Sequence, residues 1–572
     1  MTTTRPDIDL TRRDEPIDRH REIVTANGRP LPLPPTRVER DLYLSRQLLV
    51  LIVASLLSLV CLTTSQVHFL ALRPWLWVFV PFLAFTLAYY LISLRVNIGS
   101  RSFDVGKHDA LVAQWRTARA PSVDVFLPIC GEDLPVLANT WRHVAEMARV
   151  YRGDVTVYVL DDGDDPGARG LAGAHGFRYV VRPNRGWFKK AGNLRHGYEI
   201  SSGEHILILD ADFAPSPWML DETMPYFAAD ARLGIVQTPQ YFRVDRRQSW
   251  MERGAGGVQE LFYRLVQMSR DRLDAAICVG SCGVYRRSAL DEIGGTTLIE
   301  HSEDVHTGFD LRRAGWDLRY LPLPLATGLC PPDPDSFLTQ QYRWCAGSMS
   351  LLTSKKFWST KMRLASRLCY LSGFSYYVHT AIATFVVPLI PITLLVFMPH
   401  QVQLRNFAWI VPSIVYNLVV FPLWNRVGYG PTSLMARSLY GWAHAFAIGD
   451  DLRGRRMGWQ TTGGTARKPT ARMWRAIGLW GGATSAAWLG LTAYRAETLK
   501  GGDFTFLLLA GLVYAAVWGM VMASRRQAGR TLSGQRTPST RVLRHASAAR
   551  PLRAPSVAAR ELARLHVREN SL

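Results

Sequence analysis

Long apolar runs alternate with polar segments along the 572-residue chain. Six runs approach the roughly twenty residues that span the hydrocarbon core of a bilayer. They cover residues 48–64, 75–94, 376–398, 407–423, 473–494 and 504–523. This pattern predicts a multi-pass α-helical membrane protein with a large polar insertion between its second and third spans.

The insertion, residues 96–375, shows a different periodicity. Short β-rich runs at 123–127, 155–160 and 205–209 alternate with helical stretches and lack polar alternation. Such strands are typical of a parallel sheet that helices cover on both faces, so the sequence predicts an inserted cytoplasmic α/β domain. The other predicted divisions are a flexible N-terminal arm (1–42), a transmembrane hairpin (43–95), spans three and four (376–424), a basic loop (425–472), spans five and six (473–524) and a basic tail (525–572).

The charge is strongly basic but unevenly placed. Lysine and arginine number 67 against 46 acidic residues, a net charge of +21, and much of the excess lies beside the spans and in both termini. The positive-inside rule then places both termini and the α/β domain in the cytoplasm, with the spans in the plasma (inner) membrane. Contact with the lipid bilayer accounts for this charge, so no nucleic-acid partner is expected. The seven cysteines form no CxxC pair and favour neither a disulfide framework nor a zinc site.

Pairs of acidic residues follow two of the predicted strands. Asp161 and Asp162 precede Gly163, and Asp210 and Asp212 follow a fully apolar run. The carboxyl ends of parallel strands form the crevice in which α/β sheets bind ligands. Asp210 and Asp212 would share one side of an extended strand and hold a hard divalent cation, Mg²⁺ or Mn²⁺. The Asp161 pair fits either a ligand contact or a solvated turn.

Two predicted helix starts carry further charges. Lys190 lies between the acid pairs and would face a diphosphate, although a plain basic helix start is the simpler interpretation of this residue alone. Glu303 and Asp304 open a second helix, whose dipole is expected to keep the pKa of Asp304 low. Either these acids or Ser302 could instead cap that helix.

The segment 340–344 places an amide, a guanidinium and an indole within five residues, as Gln340, Arg343 and Trp344. These groups suit sugar hydroxyls, phosphate and the face of a pyranose. The alternative is an amphipathic interfacial helix, because lysines and Trp358 follow.

Together, the order of Asp162, Asp210 with Asp212, Asp304 and the QxxRW motif between membrane spans resembles the processive family 2 glycosyltransferases of the cellulose synthase and hyaluronan synthase type. The resemblance covers roughly residues 70–465 and implies a GT-A (Rossmann-like) glycosyltransferase domain. It implies that Asp304 is the catalytic base with Glu303 beside it, and that Asp210 and Asp212 hold the metal. The nucleotide sugar would be bound by Glu132, Asp161, Asp162, Lys190, Asn193, Asp210, Gln340 and Arg343. Trp344, Gly280 and Ser281 would contact the acceptor, and Trp459 and Thr462 would belong to a gating loop.

The resemblance further implies polymerisation of a β-linked glucan, β-1,4 and cellulose-like, from a UDP-glucose donor onto the growing polysaccharide, with export across the membrane. The alternatives left open are a chitin- or hyaluronan-type synthase using UDP-GlcNAc and transfer to a lipid acceptor. A transporter without catalysis leaves the acid clusters unexplained. An export or accessory protein is an open partner, and the sequence shows no DxSxxG motif for cyclic-di-GMP binding by an attached PilZ domain. Ser302 stands where the family has threonine.

Overall fold

The computed structural model of the protein describes residues 30–44, 48–98, 103–115, 117, 119–425, 430–455 and 470–534. The strands are β1 Val123–Ile129, β2 Val155–Asp161, β3 Arg178–Val180, β4 His205–Ile208, β5 Ala214–Pro215, β6 Leu233–Gln237, β7 Gly283–Arg286, β8 Asp317–Tyr320 and β9 Ala326–Thr327. The helices are α1 Arg37–Leu44, α2 Leu48–Ala71, α3 Val80–Ile98, α4 Val105–Gln114, α5 Leu134–Val150, α6 Pro166–Ala174, α7 Lys189–Ile200, α8 Met219–Ala229, α9 Trp250–Leu261, α10 Gln267–Arg272, α11 Arg287–Glu292, α12 Glu303–Arg313, α13 Pro334–Leu352, α14 Lys355–Ser359, α15 Leu364–Val386, α16 Leu389–Phe397, α17 Val411–Val415, α18 Phe421–Asn425, α19 Pro431–Asp451, α20 Ala471–Thr498 and α21 Thr505–Gly534.

The main sheet of the α/β domain has the strand order β3-β2-β1-β4-β7-β6-β8. β1 runs parallel to β2 and β4, but β7 runs antiparallel to both β4 and β6. The predicted α/β domain is confirmed, whereas the expectation of a parallel sheet is wrong at β7. After β6 the chain passes through α9 and α10 and enters β7 at the end of the sheet where β4 finishes. This return places Gly280 and Ser281 beside the carboxyl end of β4.

The strands are buried on both faces, as their continuous apolar sequence predicts. Every residue of β1, β4 and β6 is buried. In the register of the sheet, Ile129 at the end of β1 pairs with Asp161 at the end of β2, and Phe126 pairs with Ile208. The chain segments that leave β1, β2 and β4 therefore meet along one edge, where the polar residues singled out from the sequence lie.

The last part of the predicted flexible arm is ordered against the α/β domain. The Asn139 amide donates to the Pro32 carbonyl (2.7 Å), Arg243 forms an ion pair with Glu39 (2.5 Å), and Arg40 pairs with Glu222 (2.9 Å). These contacts join residues 32–40 to the domain, and the flexibility of the arm stays a prediction. The prolines that exclude a helix here fit an extended segment whose carbonyls accept hydrogen bonds from the domain.

Among the described residues, five helical segments are long and apolar enough to cross a membrane: Leu49–Ala71, Pro74–Ile98, Leu364–Phe397, Leu404–Asn425 and Thr505–Arg525. The third begins well before the predicted residue 376. The predicted fifth span lies within α20, a 28-residue helix with arginines near both ends. This helix packs against α16 and α21, and its place as a span stays a prediction.

Candidate active site

The turn after β2 is held together by a buried acid. Asp161 is fully buried and accepts hydrogen bonds from the amides of Gly163 (2.6 Å) and Asp165 (2.9 Å) and from the Tyr179 hydroxyl (2.5 Å). The turn is therefore ordered by a carboxylate inside the domain, while Gly163 and Asp164 within it are exposed. The predicted contact of Asp161 with a nucleotide stays a prediction.

Asp162 forms a buried bidentate ion pair with Arg182. The Nε and Nη2 atoms of Arg182 each lie 2.6 Å from a carboxylate oxygen of Asp162. The Arg182 side chain is fully buried and also donates to the carbonyls of Trp187 (2.7 Å) and Lys189 (3.1 Å). This arginine thus neutralises Asp162 and fixes the loop that leads into α7.

Glu132 lies at the same edge of the sheet, after β1. Its Oε2 atom accepts a hydrogen bond from the Cys130 amide (2.6 Å). Burial raises the pKa of Glu132, and the charges of Asp161 and Asp210 act in the same direction. The three acids therefore lie near one another, as the common strand edge predicts.

Lys190 connects three elements at the centre of the cleft. Its Nζ atom donates to Asp210 Oδ1 (2.5 Å) and to the Gly280 carbonyl (2.8 Å), and it lies 4.0 Å from Glu303 Oε1. Although burial opposes the charged form, Asp210, Glu303 and Asp304 together raise the pKa of Lys190. The cleft therefore holds a permanent cation among its acids, which goes beyond a plain basic helix start.

Asn193, one turn further along α7, serves the fold. Its amide nitrogen donates to the Leu160 carbonyl (2.7 Å), and the residue is buried. The side chain joins α7 to β2 through its nitrogen, and its predicted contact with a nucleotide stays a prediction. A buried carbonyl needs a donor, and Asn193 supplies it.

Asp210 and Asp212 follow β4 and are both half-buried. The Asp210 amide donates to Ser281 Oγ (2.9 Å), which ties this strand end to the segment before β7. Among the described residues, no group of three or more His, Cys, Asp and Glu side chains is arranged to hold a metal ion. One or two carboxylates completed by diphosphate oxygens and water are a common ligand set for Mg²⁺, so the pair fits a cation that binds together with a nucleotide.

Asp304 lies against a glycine that leaves room for it. Gly280 has φ +74°, and a Cβ atom at this position would come within 2.7 Å of Asp304 Oδ2. Asp304 Oδ1 accepts a hydrogen bond from the Val305 amide (2.8 Å). Gly280 is therefore required by its backbone conformation and by the close approach of this carboxylate.

The ionisation of Asp304 differs from the expectation at a helix start. Burial and the neighbouring Glu303 raise the pKa of Asp304 to about 7, against the opposing influence of Lys190 and the Val305 amide. The prediction of a low pKa is wrong because desolvation and repulsion between carboxylates outweigh the helix dipole. A carboxylate with this pKa can accept a proton near neutral pH.

Ser302 does not cap α12 with its side chain. It has a left-handed backbone conformation (φ 56°). A Cβ atom on Gly347 of α13 would fall within bonding distance of Ser302 Oγ, so the two helices meet closely at this point. The His306 ring and Ser350 Oγ, 2.9 Å apart, join the same helices one turn later.

Helix α13 brings the QxxRW residues towards the acids. Burial lowers the pKa of Arg343, while the charges of Asp210 and Glu303 oppose this shift. Arg343 therefore lies within electrostatic reach of the metal-site candidate and of α12. The Oε1 atom of Gln340 is buried without a hydrogen-bond partner among the described residues, so it presents an unused acceptor. Trp344 is half-buried.

Helix α13 is anchored to the helices that follow the domain. The Tyr342 hydroxyl contacts Asp450 (3.2 Å), which also forms an ion pair with Arg472 (2.6 Å). Asp335 accepts hydrogen bonds from the Trp474 indole (2.6 Å) and from Thr470. Helix α13 therefore packs against α19 as well as facing the cleft, and its place at the membrane interface stays a prediction.

The gating-loop candidates Trp459 and Thr462 lie outside the described residues. The sequence interpretation missed Gln237, Thr238 and Gln240, which hold the segment before β7 through buried hydrogen bonds. Their signal was a polar sequence, QTPQ, directly after a buried strand.

The sequence was compared with family models and with known proteins, and the matches cover part of the chain. The model of "Glycosyl transferase family group 2" matches residues 205–424. The cellulose synthase 1 catalytic subunit (UDP-forming) of Komagataeibacter xylinus is 35% identical over 258 residues, which are 44% of this chain and 34% of that protein. The cellulose synthase catalytic subunit (UDP-forming) of Xanthomonas axonopodis pv. citri is 32% identical over 268 residues, 45% of this chain and 36% of that protein. The chain thus matches about a third of the length of these relatives.

Among solved structures, a mannosyltransferase from Pyrobaculum calidifontis in complex with GDP-Man and Mn²⁺ aligns with a TM-score of 0.46 and 16% identity, over 66% of this chain and 99% of that one. The mixed sheet with flanking helices and the homology to cellulose synthase catalytic subunits confirm the predicted GT-A-like fold. Residues 205–424 thus match the glycosyltransferase family 2 model, and the α/β region is similar in sequence to cellulose synthase catalytic subunits.

Proposed function

We propose that the protein is a processive inverting glycosyltransferase that polymerises a β-linked glucan from UDP-glucose and passes it across the plasma membrane. One observation carries this proposal. A carboxylate with a pKa near 7, Asp304, lies beside Gly280, while Lys190 pairs with Asp210 on the other side of the same glycine. This arrangement suits a base next to a site for a leaving diphosphate.

In the proposed reaction the acceptor hydroxyl attacks the anomeric carbon of the sugar while the bond from that carbon to UDP breaks. Asp304 Oδ2 takes the hydroxyl proton, because Oδ1 already accepts the Val305 amide. Lys190 and Arg343 supply positive charge next to the departing diphosphate. Placement of the hydroxyl and stabilisation of this charge are the larger contributions to rate, and the base adds about 10² to 10⁴.

Asp210 and Asp212 are the residues that would hold a divalent cation. When bound with the nucleotide, Mg²⁺ or Mn²⁺ would neutralise charge on the leaving diphosphate. Lys190 keeps Asp210 oriented towards the same region through its 2.5 Å contact.

The packing of α13 against the helices that follow the domain supports the proposed polymer export. Cys345 of α13 contacts the His444 carbonyl of α19 through its sulfur (3.8 Å). Beyond it, aromatic rings of α15 and α19 meet, with centroids of Tyr377 and His444 4.8 Å apart and those of Tyr376 and Tyr440 5.8 Å apart. Aromatic faces stack on pyranose rings, so these helices offer a route for a glycan that leaves Trp344.

The test is UDP release by the purified protein in nanodiscs with Mg²⁺, one UDP-sugar at a time, followed by digestion of the product with linkage-specific glucanases. Turnover of UDP-glucose into a polymer that a β-1,4-glucanase degrades supports the full proposal. An insensitive polymer, or turnover of UDP-GlcNAc alone, contradicts the linkage or the sugar. A short lipid-linked product contradicts processivity, and no turnover with any UDP-sugar by folded protein contradicts the enzyme itself.

A further inference from the structure

The segment Val279–Cys282, just before β7, has no regular secondary structure although it contacts Lys190, Asp210 and Asp304. The Gly280 carbonyl accepts from Lys190, and its α-carbon faces Asp304. Ser281 Oγ accepts from the Asp210 amide. The distance between the base and the diphosphate end of the site therefore depends on where this segment sits.

Gln237 is the last residue of β6, and its carboxamide forms hydrogen bonds with the residues on both sides of Gly280. Its Oε1 atom accepts from the Val279 amide (3.0 Å), and its Nε2 atom donates to the Ser281 carbonyl (2.8 Å). Nε2 also donates to the Thr238 carbonyl (2.8 Å). The residue is only 1% exposed, so no water replaces these bonds if they are lost.

The neighbouring polar residues hold the same segment at other points. Thr238 binds the Cys282 carbonyl with both its amide (3.1 Å) and its hydroxyl (3.0 Å). The Gln240 amide donates to the Val279 carbonyl (3.0 Å). Neither contacts Gly280 or Ser281 in these hydrogen bonds, whereas Gln237 binds the backbone on both sides of Gly280.

We propose that Gln237 is a positioning residue of the transfer reaction, which sets the Gly280–Ser281 backbone and thereby the separation between Asp304 and the Lys190–Asp210 pair. This inference rests on the proposed function. Gln237 touches neither donor nor acceptor in this proposal, and its effect passes through the two backbone bonds on either side of Gly280.

The experiment compares Gln237→Met, which keeps the length of the side chain but removes its hydrogen bonds, with Thr238→Val, which removes one hydroxyl bond to the same segment. In nanodiscs, kcat and KM for UDP-glucose, the dissociation constant of UDP with Mg²⁺, and the thermal midpoint are measured for each. Gln237→Met is expected to lower kcat by about ten- to a hundredfold, as small misplacements of reacting groups do. UDP affinity should fall by less than kcat, because the contact between Lys190 and Asp210 does not pass through Gln237. Thr238→Val should retain a kcat near that of wild type.

Hydrogen exchange of the Val279 amide gives a readout that needs no turnover. It should accelerate in Gln237→Met and keep its wild-type rate in Thr238→Val. A kcat of Gln237→Met near the wild-type value, or a fall matched in proportion by UDP affinity and thermal midpoint, would overturn the inference. If wild-type protein turns over no UDP-sugar, the proposed function fails. Unchanged hydrogen exchange of the Val279 amide in Gln237→Met would separately contradict the positioning role.

Discussion

The ends of β2 and β4 both carry a pair of aspartates, but the two pairs have different surroundings in the structure. At the end of β2, Asp161 is saturated by local donors and Asp162 by the fully buried Arg182. At the end of β4, Asp210 shares a partly exposed lysine with Glu303, and the nearby Asp304 has a raised pKa. The difference teaches that acids after a buried strand mark the functional edge of a sheet, but the cation beside them decides whether they support the fold or face a ligand.

The strongest test of this comparison is Asp304→Asn. The amide keeps the shape of the side chain but cannot take the proton, so kcat should fall by about 10² to 10⁴. UDP binding and the thermal midpoint should stay near wild type, since the hydrogen bond that Asp304 accepts comes from the adjacent Val305 amide and can be kept by the asparagine oxygen. Steady-state UDP release and calorimetric UDP binding measure the two quantities. Retention of more than a tenth of wild-type kcat would show that another group takes the proton.

The β2 turn should respond in the opposite way to Asp162→Ala. This change leaves the Arg182 charge buried without its carboxylate, which costs about 3–5 kcal/mol of folding free energy. The thermal midpoint of the variant in nanodiscs should therefore fall, and this effect can be measured without an activity assay.

The matched control is the double variant Asp162→Leu with Arg182→Met, which removes both charges together. It should recover much of the lost stability, because the penalty comes from the unpaired arginine. A normal midpoint with weakened UDP binding in Asp162→Ala would instead assign this acid to the nucleotide and remove the contrast between the two strand ends.

Lys190→Met sharpens the comparison at the β4 end. Loss of the cation leaves Asp210, Glu303 and Asp304 repelling one another and should lower kcat/KM by about ten- to a hundredfold. The pH profile gives the sign. Asp304 must be ionised to act, so wild-type activity should fall as the pH drops through about 7.

Lys190 lowers the pKa of Asp304, so its removal should raise that pKa and move the acidic limb of kcat/KM to higher pH. Lys189→Met is the matched control, because it removes a neighbouring cation and leaves the contacts of Lys190 with Asp210 and Gly280 in place. If the acidic limb of kcat/KM does not shift in Lys190→Met, Lys190 does not influence the pKa of the catalytic base.

Much of the architecture could be predicted from the sequence because buried strands and spans leave strong hydropathy patterns. β1, β2 and β4 begin at the predicted residues, and the acids at their ends lie along one edge. The antiparallel β7 could not be predicted, since strand direction depends on the path through α9 and α10 and leaves no local signal. The docking of residues 30–42 depends on partners such as Arg243 and Glu222, which are distant in sequence.

Within the site, the residue types were predictable but their environment was not. The pKa of Asp304 depends on burial and on Glu303. The hydrogen bonds of Asn193 and Asp161 depend on which buried backbone groups lie beside them in the fold. Gln237 carries no charge and stands at a strand end, so the polar sequence QTPQ marks the segment but does not single out this residue.

The smallest expected effect concerns the strain stored next to the base. Ser302 has φ 56°, a conformation that costs a non-glycine residue about 1–2 kcal/mol. Ser302→Gly removes this cost but adds chain entropy to the unfolded state, so the net stabilisation should be about 1 kcal/mol or less. Ser302→Thr, which restores the family's threonine, should instead destabilise, because a β-branched side chain is disfavoured at positive φ and would crowd Gly347. Thermal midpoints of the two variants measure these opposite signs. If threonine stabilised the protein, α12 and α13 would have to move apart to accept it. Asp304 would then be less buried, which would contradict the raised pKa on which the contrast between the two strand ends depends.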